Sequence, residues 1–190
     1  MNNLRVGFAL CGSYCTFAKV IPIIKELKQQ GAKIIPIMSE NAYSTDTRFG
    51  KAADHIKRIE EICEEKIIHT ISEAEPIGPK RILDILIIEP CTGNTLGKIA
   101  NGITDTCVTM AAKAHLRNNR PVLIAVSTND GLSTSAKNIG ILHNQKNIYF
   151  VPYTQDDPIL KERSLVADFD KTIIAMHNAL ENRQIQPIII

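Results

Sequence analysis

Apolar residues fall along this chain in short β-type runs separated by longer stretches with helical spacing, and that alternation predicts most of its elements. Leu4 to Leu10 (LRVGFAL) reads as a first strand and Lys33 to Met38 (KIIPIM) as a second. Pro36 inside the second run points to an edge position or a bulge, because proline cannot donate to a ladder. Ile85, Leu86, Ile87 and Ile88, closed by Pro90, form a strand buried on both faces, followed by Pro121 to Val126 (PVLIAV) and the short Ile148 to Val151. Between these runs the period changes to that of a helix. Val20, Ile23, Ile24 and Leu27 share one face of a helix from Phe17 to about Gln30, ended by Gly31. Residues 47 to 63 place Ala52, Ala53, Ile56, Ile59 and Ile62 on one stripe; Leu96, Ile99, Ala100 and Ile103 mark another, and Val108, Ala111, Ala112 and Leu116 a third. Asn138 to Leu142 lies in a helix that starts after Ser133 or Ser135, and Phe169 to Asn182 closes the pattern. Glu75 to Pro79, with two prolines and a glycine, is expected to be a stiff loop. Gln184 to Ile190 is an apolar tail that packs on the body or on a neighbouring chain. Strands alternating with helices predict an α/β fold, three-layer α/β/α with a parallel sheet, in a single domain spanning residues 1–190.

The polar residues concentrate where those strands end. Gly12 and Ser13 follow the first, Ser39 the second, Thr92, Gly93 and Asn94 the third, and Ser127, Thr128 and Asn129 the fourth. In an open parallel sheet such loops share one edge, where amides, hydroxyls and helix dipoles favour a polar or anionic ligand. Each loop also has a plainer reading. Ser13, Ser39 or Thr95 can simply cap a helix, and Thr92, Gly93 and Asn94 can build a tight turn with Asn94 one residue before the helix start. Two phosphate motifs are excluded. No GxGxxG is present, and Gly93, Gly97 and Lys98 miss the GxxxxGK[ST] spacing because Thr92 and Ile99 occupy its glycine and hydroxyl positions.

Composition narrows the class. A chain of 190 residues with 44% hydrophobic content can bury a core without disulfides or metals. Its apolar runs are too short to span a bilayer, and its start shows no export signal. The five cysteines form no CxxC pair, which signals neither a disulfide framework nor a zinc site and fits a reduced cytosol. A net charge of +2, with aromatics not interleaved among basic clusters, gives no nucleic-acid footprint.

Gly-Ser after the first strand, the hydroxyl at Ser39, Pro90 to Thr95 as P-x-[ST]-x-N-T, then Lys98, Gly102 and Asp105 together resemble the flavoprotein family of homo-oligomeric flavin-containing cysteine decarboxylases. A longer set resembles, more narrowly, the family of dipicolinate synthase B subunits. It comprises TRFG at Thr47 to Gly50, AEPIGPK at Ala74 to Lys80, PCTGNT, KAHLRN at Lys113 to Asn118, STNDGLS at Ser127 to Ser133, KNIYFVP at Lys146 to Pro152 and the QIQP ending. The resemblance implies a Rossmann-like flavodoxin-type fold holding FMN at the strand ends. Gly12, Ser13 and Ser39 would hold the phosphate, Thr92, Asn94 and Thr95 would lie along the flavin, and Ser127, Thr128 and Asn129 would line the substrate side. Two departures stand out. Pro76 takes the position of the decarboxylases' active-site histidine, and proline can neither bind nor move a proton. Asn129 falls where those enzymes have their P-A-M-N loop, but Val126, Ser127 and Thr128 stand before it.

The implied activity is that of an oxidoreductase: a dipicolinate synthase B component, oxidising dihydrodipicolinate to dipicolinate in the mother-cell cytoplasm of a sporulating bacterium. Its implied partners are an A component that binds NAD(P) and further copies of itself. A dianionic substrate wants cations, and Arg48 and Lys98, with Lys80 and Arg117 behind them, are candidates beside the plainer reading of surface charge. His55 and His69 are the nearest replacements for the missing histidine, and each reads equally as an ordinary helix or strand-end residue. Two alternatives remain open: a noncatalytic scaffold that has lost flavin, and a flavin-dependent decarboxylase of a cysteine-type acid.

Overall fold

The computed structural model describes residues 3–190. Five strands are parallel: β1 (Arg5–Leu10), β2 (Lys33–Met38), β3 (Ile85–Cys91), β4 (Val122–Thr128) and β5 (Ile148–Phe150). They lie in the order β2-β1-β3-β4-β5. Pro36 fits because β2 is an edge; its ring faces no missing ladder donor, and its carbonyl accepts from Ile68 N at 2.9 Å. Alternate residues of β3 feed two cores, Ile85 and Ile87 on one face, Leu86 and Ile88 on the other. The first face is covered by α1 (Phe17–Gln29), α3 (Ala52–Cys63) and α8 (Thr172–Leu180), with the short α2 (Glu40–Ser44) at its edge. The second is covered by α4 (Ile71–Ala74), α5 (Gly93–Ala100), α6 (Cys107–Leu116) and α7 (Ala136–His143). The three layers predicted from the pattern are present, in a flavodoxin-like strand order.

The sheet is mixed, however, rather than wholly parallel. After β5 the chain reverses into a hairpin of β6 (Tyr153–Asp157) and β7 (Lys161–Ala167), and β7 runs antiparallel to the carboxyl end of β4, pairing Ser127 with Val166 and Thr128 with Leu165. β5 is only three residues long, so it leaves the last residues of β4 without a parallel partner, and β7 takes that edge.

Two stretches differ from the pattern for identifiable reasons, and the tail takes one of its two expected places. α3 starts at Ala52 because Thr47 and Gly50 close a tight turn by two reciprocal backbone bonds, Gly50 has φ +137°, and the Asp46 carboxylate accepts from Ala52 N at 2.8 Å. The stretch expected to be a stiff loop is helical: Thr70 and Glu73 form a capping box that starts α4, and Glu75–Ile77 continue as a 3₁₀ turn, with Pro76 in a first turn where no amide is required. The apolar tail packs on the chain's own body. The Gln184 amide donates to Phe150 O at 2.7 Å and accepts from Phe150 N at 2.8 Å, and Ile188 and Ile190 bond the backbone of Tyr153.

Candidate functional site

The carboxyl ends of β1, β3 and β4 open into a cavity of about 700 Å³. The loop after β1 supplies Gly12 to Thr16, the β3–α5 junction Thr92, Gly93 and Asn94, and the end of β4 Ser127 to Asp130; the hairpin adds Asp156, Lys161, Ser164 and Leu165, and Lys19 and Phe49 also line it. The residues singled out in the sequence after β3 and β4 therefore meet in one place, together with Gly12 and Ser13.

Ser13 precedes a 3₁₀ turn (Tyr14–Thr16) that leads into α1, yet its side chain makes no capping bond. Its Oγ instead lies 2.8 Å from Ser127 Oγ, joining the loops after β1 and β4. Thr16 Oγ1 donates to Ser13 O at 2.7 Å and fixes that turn. Gly12 is not required by conformation here. An added Cβ would meet only the Tyr14 ring at 3.5 Å, an ordinary contact.

Gly93 is required. A Cβ there would lie 2.6 Å from both Ser135 Oγ and Thr128 Oγ1, and 2.7 Å from Asp130 Oδ1. Those three groups are themselves bound together, since Thr128 Oγ1 and Ser135 Oγ donate to Asp130 Oδ1 at 2.5 and 2.8 Å. The loop after β4 is thus wound on one carboxylate and seated against the first residue of α5. Asp130 and Ser135 were not among the predicted site residues; an Asn-Asp-Gly turn signal marks that loop, but nothing local shows what it packs on.

Thr92, not Thr95 or Asn94, caps α5, its side chain accepting from Thr95 N at 3.5 Å. The helix starts two residues earlier than Thr95 because Gly93 already has helical geometry. Asn94 therefore sits inside the first turn, exposed at the cavity, and Thr95 is buried, donating to Cys11 Sγ at 3.3 Å. Burial raises the Cys11 thiol to about 11, which leaves it protonated and inert. Ser39 caps α2, accepting from Ala42 N at 3.3 Å, and does not line the cavity.

The predicted cations lie elsewhere too. Arg48 stacks over Phe49, 4.9 Å from the ring centre, and Lys98 pairs with Asp105 at 2.8 Å; neither lines the cavity. Its lysines are Lys19 and Lys161. Pro76, His55 and His69 are also outside the lining. His55 meets the edge of Phe17 and His69 stacks on Tyr43 at 3.9 Å, both as packing residues.

Residues 1–181 match the Flavoprotein family. The chain is 46% identical over its full 190 residues to the dipicolinate synthase B subunit of Bacillus subtilis, covering 95% of that protein. The crystal structure of the dipicolinate synthase B subunit from Bacillus halodurans superposes with a TM-score of 0.91 at 44% identity, over 100% of this chain and 98% of that one. Burkholderia xenovorans DmrB, solved in complex with FMN, shares the fold with a TM-score of 0.70 at 18% identity, over 94% of this chain and 96% of that one. No helix among the described residues is long and apolar enough to cross a membrane. On these matches and this architecture the chain belongs to the Flavoprotein family, with the dipicolinate synthase B subunits as its near relatives.

Proposed function

We propose that the cavity binds FMN and that the chain acts as the B component of a dipicolinate synthase, oxidising dihydrodipicolinate to dipicolinate with an NAD(P)-binding A component in the mother-cell cytoplasm. The single observation that supports this best is the cavity itself: three strand ends converge on the first turn of α5, held close by Gly93, in a chain 46% identical to one component of a dipicolinate synthase. The volume lies within the usual range for small-molecule and cofactor sites. The residues fit the group, since a planar ring with polar edges and a phosphate calls for a flat approach, neutral donors and a little positive charge. When bound, FMN supplies the acceptor for two ring hydrogens that no side chain can provide.

The chain's own residues bind and orient. Thr92 fixes the helix start, and Asn94 presents an amide that both donates and accepts at the cavity. Ser13 and Ser127, 2.8 Å apart, share one hydroxyl proton between them and leave the other to donate to a ligand. As in its homo-oligomeric relatives by resemblance, further copies of this chain would complete the assembly.

Titration with FMN tests the binding role of Asn94. Asn94→Ala should weaken FMN about tenfold to a hundredfold, equivalent to losing one desolvated polar contact of about 1 to 3 kcal/mol. Because Asn94 is not the cap, its melting temperature without ligand should stay at that of the parent. Thr92→Ala, which removes the cap, should lower melting by about 2 to 4 °C. An Asn94→Ala protein with parental FMN affinity and parental turnover would remove Asn94 from the site, whereas parental protein that takes up no FMN yet raises the activity of the A component would favour the noncatalytic scaffold reading instead.

A decarboxylase reading is disfavoured by Pro76, which sits in a 3₁₀ turn outside the cavity and carries no titratable group. Incubation with FMN and a peptidyl or pantothenoyl cysteine should therefore release no CO₂ at an enzymatic rate, measured by trapping the gas.

A further inference from the structure

We propose that Lys161, carried over the cavity by the β6–β7 hairpin, receives a carboxylate of a small dicarboxylate ligand, and that Asp156 occupies this cation until the ligand displaces it. The proposal rests on the flavin reading above and names the substrate side of that site. The walls built by the strand ends offer hydroxyls and amides but no cation; among the described lining residues Lys19 and Lys161 are the cations and Asp130 and Asp156 the anions. The two anions differ in what they do. Asp130 is enclosed by the Thr128 and Ser135 hydroxyls and organises its own loop. Asp156 faces Lys161, with Oδ2 2.5 Å from Nζ.

That ion pair is accessible enough to exchange, the Lys161 and Asp156 side chains being 54% and 40% exposed. It is also held in position. The Asp157 carboxylate accepts from Ile159 N and Leu160 N at 3.0 and 2.9 Å, setting the hairpin turn, and Asp157 is the register partner of Lys161. Further along the same strand, Leu165 pairs with Thr128 and Val166 with Ser127, so the backbone ladder ties the hairpin to the very strand end that lines the cavity. A lysine aimed at a carboxylate of its own chain is chemically prepared for a carboxylate of a ligand, through the same charge-assisted hydrogen bond. Lys19, on the first turn of α1, supplies a second positive charge in the cavity lining for the second carboxylate. The same cation chemistry would also serve the phosphate of FMN, and the experiment separates the two sources.

The test is calorimetric titration of pyridine-2,6-dicarboxylate into the FMN-loaded full chain, alongside titration of the apoprotein with FMN and with riboflavin. Lys161→Met should bind the dicarboxylate at least about tenfold more weakly, with FMN affinity and melting temperature at parental values. Lys161→Arg should restore most of that loss. Asp156→Asn should bind the dicarboxylate about twofold to fivefold more tightly, because the internal competitor has gone and the exchange is solvent-screened. Parental protein that takes up no FMN would overturn the flavin reading and this proposal together. Parental protein that takes up FMN, with Lys161→Met equal to it in dicarboxylate affinity, would overturn this proposal alone. So would a Lys161→Met protein that loses FMN but not riboflavin affinity, since Lys161 would then serve the flavin phosphate.

Discussion

Replacing Gly93 by valine is expected to reduce FMN affinity by about a hundredfold or more and to lower the melting temperature by several degrees. The direction follows from contacts that leave no room to relax cheaply. Even a methyl group at this position would sit 2.6 to 2.7 Å from three oxygen atoms, and those atoms cannot swing aside independently because Asp130 binds both hydroxyls. Overpacking of this kind usually costs about 1 to 3 kcal/mol, which for a chain of this size is roughly 2 to 12 °C in melting temperature. The effect on binding is larger than the effect on folding, since the relief available is to push α5 and the β4 loop apart, and both line the cavity. Gly93→Ala should show the same changes in milder form. Gly12→Ala is the control: with only a 3.5 Å contact to the Tyr14 ring, it should leave melting unchanged within about 1 °C. Differential scanning calorimetry and FMN fluorescence quenching on the three variants decide the matter, and a Gly93→Val protein that binds FMN like the parent would remove Gly93 from the site.

The second large effect concerns Glu89, on β3 beneath the site. Its side chain is fully buried; one carboxyl oxygen accepts from Thr172 Oγ1 at 2.8 Å and the other has no partner. Burial pushes its pKa up to about 8, against a smaller opposing effect of the Thr172 bond. The unfolded chain ionises this group near the ordinary carboxylate value of 4.5, while the folded chain keeps the proton until about 8. Its contribution to stability is therefore complete below about pH 4.5 and is lost as pH rises towards and through 8. Glu89→Gln, which cannot ionise, should match the parent near about pH 5 and exceed it at about pH 8.5 by on the order of a few kcal/mol. His115 contributes a slope of opposite sign. Burial lowers its pKa to about 4, so its stabilising share is present above 6.5 and is lost as pH falls through about 4. For that reason the informative quantity is the difference between parent and variant in urea unfolding at each pH. A difference that does not grow between about pH 5 and 8.5 would contradict the assignment of Glu89 as a buried neutral acid.

Much of the fold was legible because burial leaves a period in the sequence. The doubly buried β3, the edge strand with Pro36 and the Ala-rich α6 all follow from which positions are apolar. The hairpin was not legible, because Thr154 to Asp157 and Lys161 to Arg163 face solvent or the cavity and carry no alternation. Missing it also hid Lys161 and Ser164, which reach the site only through the antiparallel pairing of β7 with β4. Local chemistry misled in a different way. Thr92, Thr95 and Asn94 are all good helix-start residues, and nothing local distinguishes Thr92, whose side chain is the one that caps α5, from the other two. Gly12 and Gly93 both follow strand ends and look alike in the sequence, whereas steric need falls on Gly93, whose contacts with Thr128, Asp130 and Ser135 are distant in the chain.

The central claim, that these strand ends form a flavin site, is tested most directly by a crystal structure of the full chain grown with FMN. The account predicts density for the ring along Thr92 to Asn94, with the phosphate near Gly12 and Ser13. Flavin density at any other edge of the sheet, with the cavity between Ser13, Gly93 and Ser127 holding only water, would contradict it.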